Sequence, residues 1–374
     1  MQKRALVIGG GVIGTMHCWQ LLESGFEVTH LERSQIPQQA SVRNFGLVWV
    51  GGRKAGNELA VALRARELWA ALAAKAPQLT FRANGSLTVA RNPQELEVLR
   101  QSAELPDAQL RGWQLLNPQQ TKSLNPGLAG DLLGALHCSL DAAVEPGLVL
   151  GETRSFLSQF SQYSWQPNVD VVDVSETAEG VRALASDGKS FDADIAMVCP
   201  GADHETLFAG QLAEAPLRRV RLQMFSTKPL DATLTTSIAD GDSLRYYPAY
   251  DVPALADLPA QSKVAADAKI QLLLVQRSDG TLTIGDTHEY DEPFDFALRE
   301  PEYDYLIGVA ESVLGRSLPK VERRWSGVYS QRTDGAVCDR QFVSKKIVVV
   351  TGPGGRGNSL APAIAEQTLI EWGI

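Results

Sequence analysis

The sequence has few cysteines, and their spacing argues against the common cysteine-based sites. Four occur among 374 residues, and no two of them form a C-x-x-C pair, so neither a zinc ribbon nor a dithiol redox motif is written in the chain. Four scattered cysteines in a chain of this length are typical of a reducing compartment. We therefore expect a cytoplasmic protein that begins at its mature N-terminus.

Other absences narrow the function further. Lysine and arginine nowhere form a run longer than three residues, and the formal net charge is −9, which argues against nucleic acid or an anionic membrane as a partner. No apolar run reaches the ~18 residues of a transmembrane helix, so none is expected. The sequence also lacks a G-x-S-x-G motif and a cysteine in an ordered pattern with histidine and aspartate, so nucleophilic catalysis is not predicted.

The first positive signal is a glycine-rich turn near the N-terminus. An apolar run predicted as a strand precedes Gly9-x-Gly11-x-x-Gly14, and a predicted helix follows it. This arrangement is typical of a dinucleotide-binding turn, where backbone and helix N–H groups approach a pyrophosphate. Glu32 ends a second predicted strand about 20 residues later, where a carboxylate meets ribose hydroxyls. The alternative, a tight turn without a ligand, needs all of these features to coincide.

A second glycine-rich loop lies near the C-terminus. Residues 351–359, TGPGGRGNS, follow an apolar strand and open the last predicted helix. Helix-starting N–H groups stabilise negative charge, such as the charge of a reduced flavin ring. FAD is long enough for its ring to reach a segment far from the pyrophosphate site, so the two loops together favour FAD over NAD. The alternative is a helix-start loop without a ligand.

The order of the predicted elements indicates an α/β fold class. Strand–glycine loop–helix units lie at both ends of the chain, and strands of alternating polarity lie between them, with further strands at 217–225 and 243–248 and a loop-rich segment at 112–134. We predict a Rossmann-like FAD-binding domain with an inserted mixed or antiparallel β-sheet substrate domain. The predicted FAD-binding domain comprises residues 1–79, 141–215 and 325–374, and the predicted substrate-binding domain comprises 80–140 and 216–324.

Several segments resemble the D-amino-acid oxidase superfamily, to which glycine oxidase and sarcosine oxidase belong. They are VIGGGVIG at 7–14, SVRNFG at 41–46, CPGA at 199–202, WSG at 325–327 with TDG at 333–335, and GGRG at 354–357 continuing through Pro362. This resemblance spans nearly the whole chain and implies a D-amino-acid oxidase-like fold. A narrower match, ASVRNFG at 40–46 and IGDTHEY at 284–290, is similar to a bacterial branch associated with phosphonate catabolism. It implies an aminophosphonate or N-alkylated aminophosphonate substrate.

The resemblance also implies which residues contact FAD. At the pyrophosphate these are Gly9, Gly11, Val12, Ile13 and Gly14. Glu32 and Arg33 are implied at the adenosine, and Val172 is implied to hold the adenine by its backbone. The remaining implied contacts, from the ribityl chain to the ring edge, are Ser41, Arg43, Asn44, Pro200, Gly201, Gly354, Gly355, Arg356, Gly357, Asn358 and Ser359.

Two departures from the superfamily pattern carry information. In amino-acid-oxidising relatives an arginine two residues after the W-x-G glycine clamps the substrate carboxylate, whereas this sequence has Tyr329 there. A tyrosine cannot form a bidentate fork, so an α-amino acid held in that way is not favoured. Sarcosine-oxidase relatives attach FAD through a cysteine near this segment. Residues 327–335 contain no cysteine and Cys338 is misplaced, so we expect non-covalent FAD.

Six residues are candidates for the substrate end of the site: Arg245, Tyr247, Tyr250, His288, Tyr329 and Arg332. We expect the strand at 243–248 to face the flavin, with Arg245 as the first choice for binding an anionic group. The alternative is an aromatic sheet face with an exposed arginine. His288 lies among carboxylates, but the spacing matches no ligand motif, so no metal is expected.

The sequence therefore predicts a FAD-dependent oxidoreductase acting on CH–NH bonds. A small, anionic, primary or N-alkyl amine would lose a hydride to flavin N5, and the imine would hydrolyse to a carbonyl. Oxygen or another acceptor would then take the electrons. Because the flavin carries the chemistry, no catalytic side chain is assigned. The alternatives are a D-amino-acid, glycine or sarcosine-type oxidase and, in another class, a non-catalytic flavin-binding subunit of a complex.

Overall fold

The computed structural model describes residues 2–374. The strands are β1 (Arg4–Ile8), β2 (Glu27–Glu32), β3 (Leu47–Val48), β4 (Ser86–Ala90), β5 (Trp113–Leu116), β6 (Gly134–Cys138), β7 (Ala142–Ala143), β8 (Tyr163–Pro167), β9 (Val171–Glu176), β10 (Val181–Ala185), β11 (Ser190–Ala193), β12 (Ile195–Val198), β13 (Leu217–Thr227), β14 (Ser237–Ala239), β15 (Leu273–Gln276), β16 (Leu282–Gly285), β17 (Val321–Arg332), β18 (Asp339–Phe342) and β19 (Ile347–Thr351). The helices are α1 (Val12–Glu23), α2 (Asn57–Lys75), α3 (Pro93–Ala103), α4 (Pro118–Leu124), α5 (Pro146–Leu157), α6 (Ala209–Glu214), α7 (Gly241–Tyr246), α8 (Lys263–Asp267), α9 (Glu300–Leu314) and α10 (Gly357–Trp372).

A six-stranded sheet of order β18-β19-β12-β1-β2-β8 contains the N-terminal glycine turn. β1 pairs in parallel with β2 and β12, β12 pairs in parallel with β19, and β18 joins antiparallel to β19. Strand β19 is buried along its whole length and β1 at every residue after Arg4, because helices and a smaller sheet cover these inner strands. Helices α1, α2 and α10 share one apolar core on this sheet, with Met16, Trp69 and Ile364 fully buried.

An eight-stranded sheet of order β17-β13-β16-β15-β14-β4-β6-β5 forms the second half of the molecule. Its longest pairing is antiparallel, between β13 and β17, with Val220 opposite Tyr329. Val220 and Met224 face a core that includes Trp49, whereas Phe225 faces the opposite side, against α9. The eight-stranded sheet therefore has one face towards α9 and one face towards the six-stranded sheet.

The predicted fold class is confirmed, because a doubly wound parallel sheet and a mixed, largely antiparallel sheet are both present. The strands of the six-stranded sheet come from residues 4–32, 163–198 and 339–351. The eight-stranded sheet uses residues 86–138 and 217–332. The division into domains stays a prediction, and β17 runs across the boundary predicted between residues 324 and 325.

Local structure departs from prediction in two places. The strand predicted at 243–248 is instead the helix α7, because the Asp240 side chain accepts hydrogen bonds from the amides of Asp242 and Ser243 and caps a helical turn. The segment 112–134, predicted as loop-rich, contains β5 and α4, and α4 begins with a capping box between Asn117 and Gln120.

The contact between α1 and β1 yields a prediction for Gly14. A Cβ atom at Gly14 would lie 1.9 Å from the backbone oxygen of Gly9, so Gly14→Ala must push α1 away from the sheet. We expect a loss of about 1–3 kcal/mol in the free energy of unfolding, measured by urea denaturation. Gly308→Ala is the matched control, because a Cβ there meets nothing within 4 Å. The control should be neutral or gain up to ~1 kcal/mol, and equal losses in both variants would contradict the proposed contact.

Candidate functional site

A cavity of about 500 Å³ lies between the two sheets and contains most of the predicted site. It begins at the N-terminus of α1 and passes the loop at 40–45 and the loop that leads into α10. It ends among aromatic and polar side chains of the eight-stranded sheet and of the segment after α7. This is the position expected for ligands in doubly wound folds, at the carboxyl ends of parallel strands.

The glycine turn is held in place by two side chains. Glu32, at the end of β2, accepts a hydrogen bond from the Gly10 amide (2.7 Å) and another from the Ser34 amide (3.0 Å). The Ser41 hydroxyl accepts from the Val12 amide at 3.0 Å, at the start of α1. The helix N-terminus therefore faces the cavity with its backbone fixed, as an anion-binding turn requires.

The structure brings most of the predicted cofactor residues to the cavity. Those that line it are Gly11, Val12, Ile13, Gly14, Ser41, Arg43, Asn44, Gly201, Gly354, Gly355, Arg356, Gly357, Asn358 and Ser359. The side chain of Asn44 is used within its own loop, because it donates to the carbonyls of Ala40 and Ser41 and accepts from the Gly46 amide. It holds the shape of the loop, so a contact of this residue with FAD would come from its backbone.

Five predicted cofactor residues lie outside the cavity lining: Gly9, Glu32, Arg33, Val172 and Pro200. Gly9 packs against the backbone of Cys199. Arg33 forms an ion pair with Asp203 at 2.9 Å. Val172 lies on the small β9–β11 sheet with 44% of its surface exposed. Their roles at the adenosine end stay a prediction.

The start of α10 fits the edge of a flavin ring. Asn358 is 8% exposed, and both polar atoms of its side chain lack a hydrogen-bond partner within residues 2–374. One is a donor and the other an acceptor, and the flavin edge also alternates N–H and carbonyl groups. Unpartnered buried polar groups are costly, so a bound ligand that satisfies them is favoured. The residues present therefore fit FAD.

The far end of the cavity is lined by aromatic side chains. Trp49 and Tyr247 pack with ring centroids 5.6 Å apart, and Tyr246 stacks on His288 at 4.4 Å. The Tyr329 hydroxyl is buried and has no hydrogen-bond partner in the described part of the chain. Burial raises the pKa of the Tyr247 and Tyr329 hydroxyls, so both remain protonated and able to donate.

Charged side chains of both signs line this aromatic end. Arg53 is 5% exposed and donates to the Trp49 carbonyl at 2.9 Å. Glu58 lies between two guanidinium groups, 3.8 Å from Arg53 and 3.1 Å from Arg356. Burial lowers the pKa of Arg53, and Glu58 opposes that shift. The cavity lining also includes Asp286, a buried carboxylate beside Gln271 and His288.

Four of the six predicted substrate residues line the cavity: Tyr247, His288, Tyr329 and Arg332. Arg332 is bound to Asp334 and Asp339, so its charge is already paired. Tyr250 lies behind the cavity wall, with its hydroxyl 2.9 Å from that of Thr88 and its ring stacked on Trp113.

Arg245 was expected to face the flavin from a strand, and the structure places it elsewhere. It is exposed on α7 and donates to the Pro259 carbonyl, and it does not line the cavity. The reason is the helical turn, which brings Tyr246 rather than Arg245 to the site. Arg245 is therefore not proposed as the residue that binds an anionic group.

Sequence reasoning missed several residues that line the far end: Trp49, Arg53, Glu58, Tyr246, Gln271 and Asp286. Tyr246 and Asp286 lie within motifs that the sequence analysis singled out. No sequence pattern marked Arg53 or Glu58 as a site residue. Surfaces commonly carry a lone arginine after a glycine pair or a glutamate in the first turn of a helix.

Two further findings concern the described residues 2–374. None of their helices is both long and apolar enough to cross a bilayer. No group of three or more histidine, cysteine, aspartate and glutamate side chains among them is placed to hold a metal ion.

A doubly wound sheet, a glycine turn and a cavity shared with a large antiparallel sheet together define a dinucleotide-dependent enzyme. The family model described as "DAO: FAD dependent oxidoreductase" matches residues 4–369. The chain belongs to this family, and FAD is its cofactor.

Individual relatives are distant. An opine oxidase subunit of Rhizobium meliloti is 28% identical over 247 residues, which are 61% of this chain and 64% of that protein, so the match spans just under two thirds of the relative. Glycine oxidase from Geobacillus kaustophilus has a TM-score of 0.77 at 18% identity, covering 99% of this chain and 95% of that one. L-proline dehydrogenase from P. horikoshii has a TM-score of 0.80 at 17% identity, covering 100% and 94%. These structural likenesses support the fold.

Gly11 tests the assignment of the phosphate-binding turn. Gly11→Val places a branched side chain in the cavity, its Cβ 3.0 Å from the Ser41 hydroxyl, where the pyrophosphate approaches the backbone. We expect flavin content, measured as the ratio of 450 nm to 280 nm absorbance, to fall by roughly tenfold or more, with unchanged far-ultraviolet circular dichroism. Gly147→Val, where a Cβ meets nothing within 4 Å, should keep its flavin. Full occupancy in Gly11→Val would refute the assignment.

The cysteines predict how FAD is held. Cys199 lines the cavity but burial raises the pKa of its thiol, which disfavours the nucleophilic thiolate, and Cys338 does not line the cavity. We expect FAD to be non-covalent, so acid precipitation should leave the yellow colour in the supernatant. Colour retained in the washed precipitate would show a covalent link.

Proposed function

We propose that this protein oxidises a small amine that carries an anionic group, using FAD as the two-electron acceptor. One observation carries this proposal: beyond the flavin-fitting start of α10, the cavity ends in an aromatic chamber lined by both a buried guanidinium, Arg53, and a buried carboxylate, Asp286. A chamber with both charges suits a zwitterion.

When bound by the glycine turn and the α10 loop, FAD would accept a hydride from the substrate carbon next to nitrogen. The resulting imine would then hydrolyse to a carbonyl. The chain's own contribution is placement. Trp49 and Tyr247 enclose the substrate and exclude water, and the Tyr329 hydroxyl is free to donate a hydrogen bond to it. No side chain has to act as a nucleophile. Oxygen or another electron acceptor reoxidises the protein. We propose that the protein is cytoplasmic.

An aminophosphonate or N-alkylated aminophosphonate is the substrate class that the sequence resemblance implies. Both segments of that resemblance, 40–46 and 284–290, contribute residues to the cavity. With Arg245 outside the site, we assign the anionic group to Arg53, together with Lys54 at the cavity edge. Glu58 is shared between Arg53 and Arg356, so one positive charge of that group is uncompensated, whereas Arg332 has two carboxylate partners. A guanidinium and an ammonium both suit the three oxygens of a phosphonate.

Two other functions have observations in their favour. An amino-acid or glycine oxidase is favoured by the fold of the structural neighbours, but Tyr329 lies where that class places its arginine and Arg332 is already paired. A flavin-binding component of a larger complex is favoured by one relative, which is named as a subunit of an opine oxidase. The chamber that adjoins the flavin edge argues for catalysis in this chain itself.

Amine screening under anaerobic conditions tests the proposal. We expect the flavin absorbance at 450 nm to bleach on addition of an aminophosphonate or N-methyl aminophosphonate, and glycine to act at least tenfold more weakly, because no arginine fork awaits its carboxylate. Arg53→Met should raise the concentration needed for half-maximal bleaching by roughly 10–100-fold, because charge-assisted bonds to the anion are lost.

Each outcome of the screen decides between the functions. A preference for glycine would contradict the assignment of an aminophosphonate substrate. An absence of bleaching with every amine would favour the role in a larger complex. Arg245→Met is the control for Arg53→Met, since Arg245 is exposed and outside the cavity.

A further inference from the structure

Three hydrogen-bond acceptors meet on one wall of the chamber. Gln271, Asp286 and His288 are 2%, 4% and 3% exposed, and all three line the cavity. The Gln271 side-chain amide donates to Asp286 Oδ1 at 3.2 Å, which leaves Gln271 Oε1 buried and without a partner within residues 2–374. His288 Nε2 lies 3.8 Å from Asp286 Oδ2, beyond hydrogen-bond distance. These side chains hold one another in place while leaving acceptor atoms unused.

The hydrogen bonds of His288 identify its free nitrogen. Nδ1 lies 3.1 Å from the Lys269 carbonyl oxygen, which can only accept, so Nδ1 carries the proton. In the neutral ring, Nε2 is then an acceptor. The wall therefore presents Asp286 Oδ2, Gln271 Oε1 and His288 Nε2, and a ligand that bears N–H groups complements all three.

No lysine or arginine within residues 2–374 neutralises Asp286, whose ionisable neighbour in the ion-pair range is His288. Arg218 and Lys269 lie instead over the ring of Tyr290, at 4.0 and 5.1 Å from its centroid. Asp286 forms no ion pair with a lysine or arginine within residues 2–374. A buried carboxylate without a counter-ion is costly, and a cationic ligand removes that cost.

We propose that Asp286, Gln271 and His288 form the ammonium subsite of this protein, and that Asp286 accepts the proton which the substrate must lose before oxidation. The substrate class is thus a protonated primary or secondary amine, and this inference rests on the proposed function. In the proton step the substrate N–H bond breaks and an O–H bond forms on Asp286 Oδ2. The nitrogen keeps its electron pair, the amine becomes neutral, and nothing is oxidised or reduced.

The surroundings of Asp286 suit that step. Burial raises the pKa of Asp286, which brings its proton affinity closer to that of an amine, while His288 opposes the shift. The other titratable groups that face it are the hydroxyls of Tyr246, Tyr247, Tyr290 and Tyr329. Burial raises the pKa of each hydroxyl, so none ionises near neutrality.

Binding of an inert cation tests the subsite without turnover. tert-Butylammonium has no hydrogen on the carbon next to nitrogen, so it cannot be oxidised, and tert-butanol is its neutral counterpart. We expect the ammonium to perturb the visible flavin spectrum of the holoenzyme at lower concentration than the alcohol. Asp286→Asn should weaken ammonium binding at least tenfold and alcohol binding less than twofold. Equal affinities in wild type, or an unchanged ammonium affinity in Asp286→Asn, would overturn the subsite.

Two further variants test whether a loss of ammonium binding in Asp286→Asn is specific to the subsite. Gln271→Met removes one acceptor and keeps the charge, so ammonium binding should weaken by about threefold to tenfold. Asp187→Asn removes an exposed carboxylate paired with Lys189 and should change nothing. Flavin content and melting temperature of each variant are measured first. If Asp286→Asn fails to hold flavin, the Gln271→Met result decides, and no loss there overturns the subsite.

The pH profile of anaerobic bleaching tests proton transfer. A free amine with a pKa of ~10 is about one part in a thousand neutral at pH 7. Without the Asp286 carboxylate, only that fraction can react. Bleaching by Asp286→Asn should therefore rise about tenfold per pH unit from pH 7 to 9 and approach the wild-type rate. A constant deficit at every pH would refute the proton role.

The two proposals fail in different ways. If no amine bleaches the wild-type holoenzyme, the proposed function fails, and tert-butylammonium binding still judges the subsite. If amines bleach wild type and Asp286→Asn alike at every pH, the proposed function stands and the subsite is wrong.

Discussion

The parallel pairing of β1 with β12, and of β12 with β19, is the constraint on which the site depends. It brings the glycine turn at the N-terminus, the Cys199–Gly201 turn and the α10 loop to one edge of a sheet, although they are far apart in the chain. The contact of Gly14 with the Gly9 carbonyl then sets α1 against β1, which aims its N-terminus into the cavity. A change that moves any of these strands displaces the cofactor site as a whole.

The eight-stranded sheet forms the other wall of the cavity and determines the polarity of that wall. Strands β13, β15 and β17 present apolar side chains and Tyr329 on one face, and the segment after β16 adds Asp286 and His288. Arg53, on the loop before α2, also lines the cavity. Because both charged groups are buried, their interaction with a ligand is weakly screened. In the proposed function, the chamber therefore selects substrates by charge distribution as well as by size.

Much of the FAD-binding half of the cavity was predictable from local sequence patterns. The spacing of Gly9, Gly11 and Gly14 between an apolar strand and a helix has a local physical cause, so it predicted the turn that the structure contains. The substrate half was less predictable. The tyrosines at 246–250 suggested a strand, but the Asp240 cap makes a helix, and one helical turn exchanges Arg245 for Tyr246 at the cavity. A cap depends on side-chain geometry that alternation of residue types does not reveal.

The sequence by itself determined the fold class, the family and the FAD-binding turns, because these rest on glycines, apolar strands and helix starts that are close in the chain. Tertiary structure decided which charged side chains lie around the chamber. Arg53, Gln271 and Asp286 come from separate segments, and each alone resembles an ordinary surface or sheet residue. Their burial around one chamber, where an unpaired carboxylate and an unused amide oxygen lie together, follows only from the packing of the two sheets against each other.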